Sequence, residues 1–328
     1  MNLSDVSKLT EEQAREWFEQ IRWPNGPVCP HCGSVEATKL AWKAKRQKPD
    51  IELKGKRRPH REGLYRCVGC EEQFSATVKT ILEDSHLPIR TWLMAFAILC
   101  SAKKGISALQ LQRQLGLGSY RTAWHLCHRI RHAMDREPLK GLLGAGGGTV
   151  EADETYVGGK PRKPTGRKVP GVRRRSLVGR GTQKQPVVAL VERGGKVRAR
   201  TVPDVTAKTL KAAVRAHVDP SARLMTDELR SYVGLHKEFA GGHEVVCHSA
   251  GEYARGDAST NEVEAFFALF KRGVMGSFHH ISKKHMNRYL NEFSFRWDLR
   301  KVTDGERTVE AIRSSEGKRL MYRVPVGQ

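Results

Sequence analysis

TVEADETYV, residues 149–157, is the stretch on which the reading of the fold turns. It reads as a β-strand with an acid, Asp153, in its middle. A carboxylate on an otherwise apolar strand is costly unless it is paired or binds a metal ion. Working outward, QPVVALVER (185–193) and KVRARTV (196–202) read as the next two strands, joined as a hairpin by Gly194-Gly195. Thr206 is placed to cap a helix running to about His217, and ARLMTD (222–227) and HEVVCHS (243–249) read as a fourth and a fifth strand. Helices are predicted from about Thr260 to Arg272 and from Ser282 to Arg300. Three strands, a helix, then alternating strand and helix predict an α/β sandwich on a mixed sheet.

Two more acids stand where this fold exposes functional groups. Asp227 ends the fourth strand, and strand ends are where α/β sheets present chemistry. Glu264 lies in TNEVEAFFALFKRG, whose apolar face is Val263, Phe266, Phe267 and Phe270. Lys271 follows seven residues later on the same face as Glu264. Three carboxylates converging on one edge can hold two divalent ions, an arrangement suited to phosphoryl transfer. Lys271 would then meet a phosphate near the cut. Asn261, one turn before Glu264, can also ligate a hard cation through its amide oxygen and is the rival third ligand. Glu262 reads as surface. Taken singly, each acid reads equally well as a salt-bridge partner; their order along the chain is what gathers them.

The N-terminal half carries a different signal. Thr10 and Gln13 form a capping-box pair for a helix over 10–22 with Trp17, Phe18 and Ile21 on one stripe. Cys29 and Cys32 (PVCPHCGS) and Cys67 and Cys70 (YRCVGCEEQFS) make two CxxC turns. Four thiolates so paired favour Zn2+ in a closed, structural site. The 34 residues between the pairs leave room for a β-hairpin. Cys100, Cys127 and Cys247 lie on apolar faces and read as core. In GISALQLQRQLGLGSYRTAWHLCHRIRHAM a helix from about Ser107 to Leu115, a glycine turn and a second helix capped by Ser119 form a helix-turn-helix pattern. Arg121, His125, His128, Arg129, Arg131 and His132 would form its DNA-facing side; an ordinary helical hairpin with a solvated basic face has the same pattern. The glycine-rich GLLGAGGGTV (141–150) reads as a linker.

Charge sets the partner class. The 328 residues hold 58 Lys and Arg against 35 Asp and Glu, a formal net charge of +23. Nucleic acid is the leading partner for such a field. Residues 160–180, including Arg173, Arg174 and Arg175, contribute nine basic residues and no acid. His279, His280, Lys283, Lys284, Arg288, Arg296 and Arg300 read as a phosphate-facing flank, with Tyr289, Phe293, Phe295 and Trp297 as core. No apolar run is long enough to span a bilayer. The polar N-terminus does not read as a secretory signal, and CxxC pairs fit a reducing compartment, so a cytoplasmic location is expected.

The segments EADETYVGGK, MTDELRSY and STNEVEAFFALFKRGVMGSFHHISKKHMNRYLNEFSFRWDLR, with CPHCGS, YRCVGCEEQFS and the helix-turn-helix stretch, resemble zinc-ribbon transposases of insertion-sequence family fifteen-ninety-five. The likeness runs from about residue 10 to 305. It implies a ribonuclease-H-like DDE domain in which Asp153, Asp227 and Glu264 bind Mg2+ or Mn2+ and Lys271 assists, with Asn261 the alternative third ligand. It also implies DNA cleavage by water and strand transfer by the freed 3′ hydroxyl. The zinc ribbon and helix-turn-helix would bind the element's inverted repeats in double-stranded DNA, with Arg272 among the contacts, and a homo-oligomer would form on DNA. The expected division is 1–80 for the N-terminal helix and ribbon, 81–140 for the helical region, 141–305 for the catalytic domain and 306–328 for a tail. A non-catalytic zinc-ribbon regulator, or an inactive copy, needs only the N-terminal half, and a structure-specific nuclease of the same fold would cut without joining.

Overall fold

A computed structural model describes residues 2–40, 62–136, 141–158, 184–252 and 254–322. The basic stretch over 41–61 and the 160–180 segment with Arg173, Arg174 and Arg175 lie outside the described residues. Contacts divide the chain into two units: residues 1–98 with 125–133 and 304–328, and residues 99–124 with 134–303. The helical region expected over 81–140 therefore contributes to both units.

The first unit opens with α1 (Leu3–Ser7) and α2 (Glu11–Arg22). Thr10 and Gln13 close the predicted capping box on α2, a device that stabilises a helix end by about 1 kcal/mol. Three short strands follow, β1 (Ala37–Lys39), β2 (Leu64–Cys67) and β3 (Gln73–Ser75), antiparallel in the order β1-β2-β3. Trp23 at the end of α2 meets Tyr65 and Phe74 edge-on at 5.5 and 5.8 Å, and Tyr65 stacks on Phe74. The Tyr65 hydroxyl donates to Glu19 at 2.7 Å, and burial pushes its pKa up. Aromatic packing of this kind lets a sheet of three- and four-residue strands hold shape without a large core.

Helices α3 (Ile89–Ser101), α4 (Ala108–Gln114) and α5 (Tyr120–Ala133) follow, with Ser107 capping α4. The glycine turn sits where the sequence places it: Gly116 has φ +62°, a conformation that favours glycine.

The second unit is built on a five-stranded sheet. Its strands are β4 (Thr149–Val157), β5 (Gln185–Glu192), β6 (Val197–Thr201), β7 (Arg223–Asp227) and β8 (His243–Val246). Their order is β6-β5-β4-β7-β8. β4, β5 and β6 pair antiparallel, and β7 and β8 run parallel to β4. A three-stranded meander extended by two parallel strands beyond its first strand is the ribonuclease-H-like arrangement, and it is the mixed sheet expected from the sequence.

Strand alternation sorts the two faces. Val187, Ala189 and Val191 pack with Phe266, Phe267 and Phe270 of α7 (Asn261–Gly273) and Leu290 and Phe293 of α8 (Met286–Asp298). Val188 and Leu190 face the other way, onto Leu210 and Val214 of α6 (Ala207–His217). Gly273 is required at the end of α7 because a Cβ there would strike the Phe293 ring and the Lys104 carbonyl. In place of the expected tail, α9 (Asp304–Arg313) belongs to the first unit, where Ala311 and Ile312 are buried and Glu316 bridges to Thr80. Among the described residues no helix is long and apolar enough to cross a membrane.

Candidate active site and metal centre

The sheet register brings the first two acids together. Ala152 on β4 pairs with Thr226 on the parallel β7, so the next residues along, Asp153 and Asp227, stand side by side at that end of the sheet. Asp153, Asp227 and Glu154 each offer a carboxylate oxygen within 4.8 Å of the others. Burial pushes the Asp153 carboxyl up to about 7, and the charges of Asp227 and Glu264 push the same way. The backbone N–H of Glu154 at 2.7 Å and the charge of Lys271 oppose that shift without cancelling it. The fields of Glu264 and Lys271 thus reach Asp153 from α7. Asp227 in turn accepts from the Leu229 N–H at 3.1 Å.

Glu264, the expected third ligand, is not one of the three carboxylates within that distance, though its charge acts on Asp153. It accepts from the Thr260 hydroxyl at 3.1 Å and lies 3.3 Å from His248 Nε2. Asn261 occupies the first position of α7 and is exposed. Lys271 is exposed, with Nζ 5.9 Å from the Phe267 ring centre. The donor set fits a hard divalent cation: three carboxylate oxygens within 4.8 Å of one another, close enough to share an ion.

Three supporting residues escape a reading of the sequence. Glu154 reaches the cluster and accepts from the Tyr232 hydroxyl at 3.0 Å; Tyr232 is buried, which drives its own pKa well up. His248, just after β8, holds Glu264. Glu151, fully buried two residues before Asp153, accepts from the backbone N–H groups of Glu262 and Val263 at 2.7 and 3.1 Å. It also accepts from Arg193 Nε at 2.8 Å, and the same guanidinium donates to the Ser259 carbonyl and hydroxyl. A buried anion at the amino end of α7 satisfies orphan donors and complements the helix dipole. It ties the strand that carries Asp153 to the helix that carries Glu264.

Several expectations are corrected. Glu262 is half-buried, not a free surface acid: it accepts from the Gly194 N–H at 3.0 Å and lies 3.8 Å from Arg300. Arg300 donates to the Gly195 carbonyl at 2.7 Å, and Arg296 is buried and paired with Glu292, so neither forms an open phosphate-facing flank. His279, His280, Lys283 and Lys284 are exposed, as are Lys271 and Arg272. On α5, Arg121 is exposed, but Arg129 and Arg131 are only 7% and 2% exposed. Arg129 donates to the Glu83 carbonyl and lies over the Trp92 ring at 5.0 Å. His125 is half-buried, edge-on to Tyr322. The recognition face drawn from α5 therefore does not include His128, Arg129 and Arg131, because helical periodicity alone cannot tell an outward basic side chain from a buried one.

The four ribbon cysteines converge. Their Sγ atoms all lie within 4.8 Å of one another, with Cys29–Cys70 at 3.7 Å and Cys32–Cys67 at 3.5 Å. Thiolates about 2.3 Å from a central zinc in tetrahedral geometry sit about 3.8 Å apart, so this quartet has the size of a zinc shell and is far too open for disulfides. A backbone N–H at Cys70 holds the Cys67 thiol down, at about 6.

A raised carboxyl gives a testable sign. Folded Asp153 keeps its proton up to about pH 7, whereas an unfolded aspartate loses it near pH 3.9. The folded state therefore binds more protons across that window, and stability falls as pH rises through it. In buffer free of divalent cation, without chelator so that the cysteines are undisturbed, the melting temperature is expected to be lower at pH 8 than at pH 6. Mg2+ should restore it mainly at pH 8, and Asp153→Asn should flatten the difference. Equal melting at both pH values for the unsubstituted protein would refute this assignment.

Two family models match this chain. Residues 145–298 match the ISXO2-like transposase domain, and residues 9–73 match the transposase zinc-ribbon domain. An uncharacterized protein in the transposable element ISH50 of Halobacterium salinarum is 28% identical over 299 residues, covering 89% of this chain and 92% of that protein. Among solved structures, a pre-cleavage Mos1 transpososome aligns over 70% of this chain and 80% of its own, at 15% identity and a TM-score of 0.24. The α/β domain built on the five-stranded sheet is the part that the transposase model matches. Residues 9–73 and 145–298 thus carry the zinc-ribbon and transposase domains of insertion-sequence family fifteen-ninety-five.

Proposed function

We propose that this chain is a DNA transposase that binds the terminal repeats of its element, cuts DNA strands there and joins the freed 3′ ends to target DNA, acting inside the cell as a homo-oligomer on the DNA. The observation that carries the reading is the side-by-side placement of Asp153 and Asp227, with the charges of Glu264 and Lys271 reaching Asp153.

Asp153 and Asp227, completed by Glu264 or Asn261, would hold Mg2+ or Mn2+. Bound there, such ions activate an attacking oxygen and stabilise the leaving one. The chain's own groups do the rest. The sheet fixes two carboxylates in register, Thr260 and His248 hold the third in reach, and Glu151 fixes the helix. Lys271 offsets the negative charge that the acids present to a phosphate. The exposed Arg121, Arg272, Lys283 and Lys284 provide backbone contacts to DNA. Cys29, Cys32, Cys67 and Cys70 would hold Zn2+ with no open coordination position, a structural role.

The deciding experiment is cleavage and strand transfer by the full chain on duplexes bearing the repeats that flank its own gene, with and without Mg2+. Cation-dependent nicking followed by joined product is the expected result. Nicking without joining would favour a nuclease, and tight binding with neither would favour a regulator or inactive copy.

Zinc removal has its own signature. Metal binding to such a quartet contributes on the order of 10 kcal/mol to folding. Chelation should unfold the ribbon sheet of β1, β2 and β3 and abolish the near-UV dichroism of the Trp23–Tyr65–Phe74 cluster, leaving the second unit's melting transition in place. A spectrum and melt indifferent to chelator would rule out a structural zinc.

A further inference from the structure

The helix carrying Glu264 and Lys271 does not end in an ordinary cap. It passes into a π-helical turn, Val274–Phe278, a rare conformation that clusters at functional sites. Both ends of this turn are anchored. Val274 is buried, and Phe278 packs edge-on against Tyr289 at 4.7 Å and against Phe293 at 6.4 Å. The fit under Phe278 is close enough that a Cβ on Gly105 would collide with its ring. Between the anchors the turn projects. Met275 is 77% exposed, more than any other large hydrophobic side chain among the described residues, and nothing lies within 4 Å of a Cβ built on the neighbouring Gly276. Just beyond, His279 is held at φ +57°, ψ −38°, a backbone strain that persists only where the surroundings enforce it.

An apolar tip on a rigid base is unremarkable by itself, since single exposed hydrophobics are common. Its surroundings are what give it a ligand. Lys271 and Arg272 precede it by one turn, and His279, His280, Lys283 and Lys284 follow it; all six are exposed. A flexible thioether flanked on both sides by cations matches a polyanion whose interior is apolar and stacked, which is duplex DNA. Proteins that kink DNA insert Met, Leu, Ile or Phe between base steps while cations hold the flanking phosphates.

We propose that Met275 is a DNA-deforming wedge: it inserts between base pairs next to the phosphate held at the acidic site, with Lys271 and Arg272 on one flank and Lys283 and Lys284 on the other gripping the backbone. The proposal rests on the transposase reading and adds how the site opens its substrate. Lys271, whose charge reaches Asp153, lies four residues before Met275, so the distorted step falls within a few base pairs of the scissile phosphate. The unstacking there is offset by backbone contacts that the bend permits.

The test uses the full chain and duplexes carrying its element's terminal repeat, with 2-aminopurine placed in turn at each position around the cleavage site. Met275→Ala, Met275→Leu and the unsubstituted protein are compared for anisotropy, 2-aminopurine fluorescence and nicking rate. The expected result is a fluorescence rise at one or two adjacent positions, kept by Met275→Leu and lost in Met275→Ala. Affinity should change little, because the phosphate contacts remain. Nicking by Met275→Ala should fall roughly tenfold and recover on a duplex mismatched at that step, where the unstacking cost is already met. Binding and nicking with no fluorescence rise at any position, or an equal rise in Met275→Ala, would overturn the wedge and leave the transposase reading standing. Absence of binding and nicking by the unsubstituted protein would overturn both.

Discussion

Asp153→Asn and Asp227→Asn are each expected to lower strand cleavage by roughly 1,000-fold or more, the scale seen when one member of an interdependent catalytic set is removed. Asparagine preserves shape and one oxygen donor but removes the charge that makes the edge attractive to a hard cation. Affinity for the element's ends should stay level or rise, because the lost carboxylates repel phosphates. Retained binding with lost cleavage therefore separates a broken site from a broken fold. Cleavage within tenfold of normal in Asp153→Asn would remove the basis for the site. Glu264→Gln and Asn261→Ala resolve the third ligand. The Glu264 charge reaches Asp153, so Glu264→Gln is expected to behave like the two aspartate variants and Asn261→Ala to stay active; the reverse pattern moves the ligand one turn toward the start of α7.

The second large effect lies under the site. Glu151→Ala strips the acceptor from two backbone N–H groups and from the Arg193 guanidinium at once. Removing one partner of a fully buried pair costs about 3 to 5 kcal/mol; Arg193 is partly exposed and keeps its bonds to Ser259, so the lower end, about 3 kcal/mol, is expected. For a domain of this size that is a fall in melting temperature on the order of 10 °C. Glu151→Gln keeps one acceptor oxygen for the amides and should lose less. Calorimetry of the two variants decides the matter: a shift of only a degree or two in Glu151→Ala would show that α7 is held by its phenylalanines alone.

Much of the second unit was legible because its signals are local. Nine residues of β4, the hairpin turn at Gly194-Gly195 and the Thr206 cap follow from strand alternation, turn chemistry and capping, all of which act over a few residues. The acids at 153 and 227 were legible because an ionised group on an apolar strand, or at its end, requires a reason. Glu151 carries the same oddity on the same strand, yet its role depends on donors more than 100 residues away, and nothing near it in sequence announces them. Glu154 and Tyr232 meet across 78 positions for the same reason. Arg129, over Trp92, and Arg296, over Phe293, mark the opposite failure. A cation on a helix is assigned to solvent by default, whereas long stems and planar guanidinium groups bury well over aromatic rings. The helix α9, which stands where a tail over 306–328 is expected, is not legible because its partners lie near Thr80 and Arg22, far upstream.

That last feature bears on how such a chain can be re-engineered or reassorted. The first unit is woven from three separate stretches, and residues from 304 onward complete it. No single cut in the sequence releases either unit whole. A hybrid made by one crossover, joining the ribbon half of one relative to the sheet half of another, would pair α9 with a foreign α2: Arg22 would keep the Ala76 and Val78 carbonyls but would have to find its Glu316 partner in the other parent. Exchange of binding specificity between relatives is therefore expected to succeed by double crossovers that carry both pieces together, or by loop grafts inside one unit, and to fail by simple fusion.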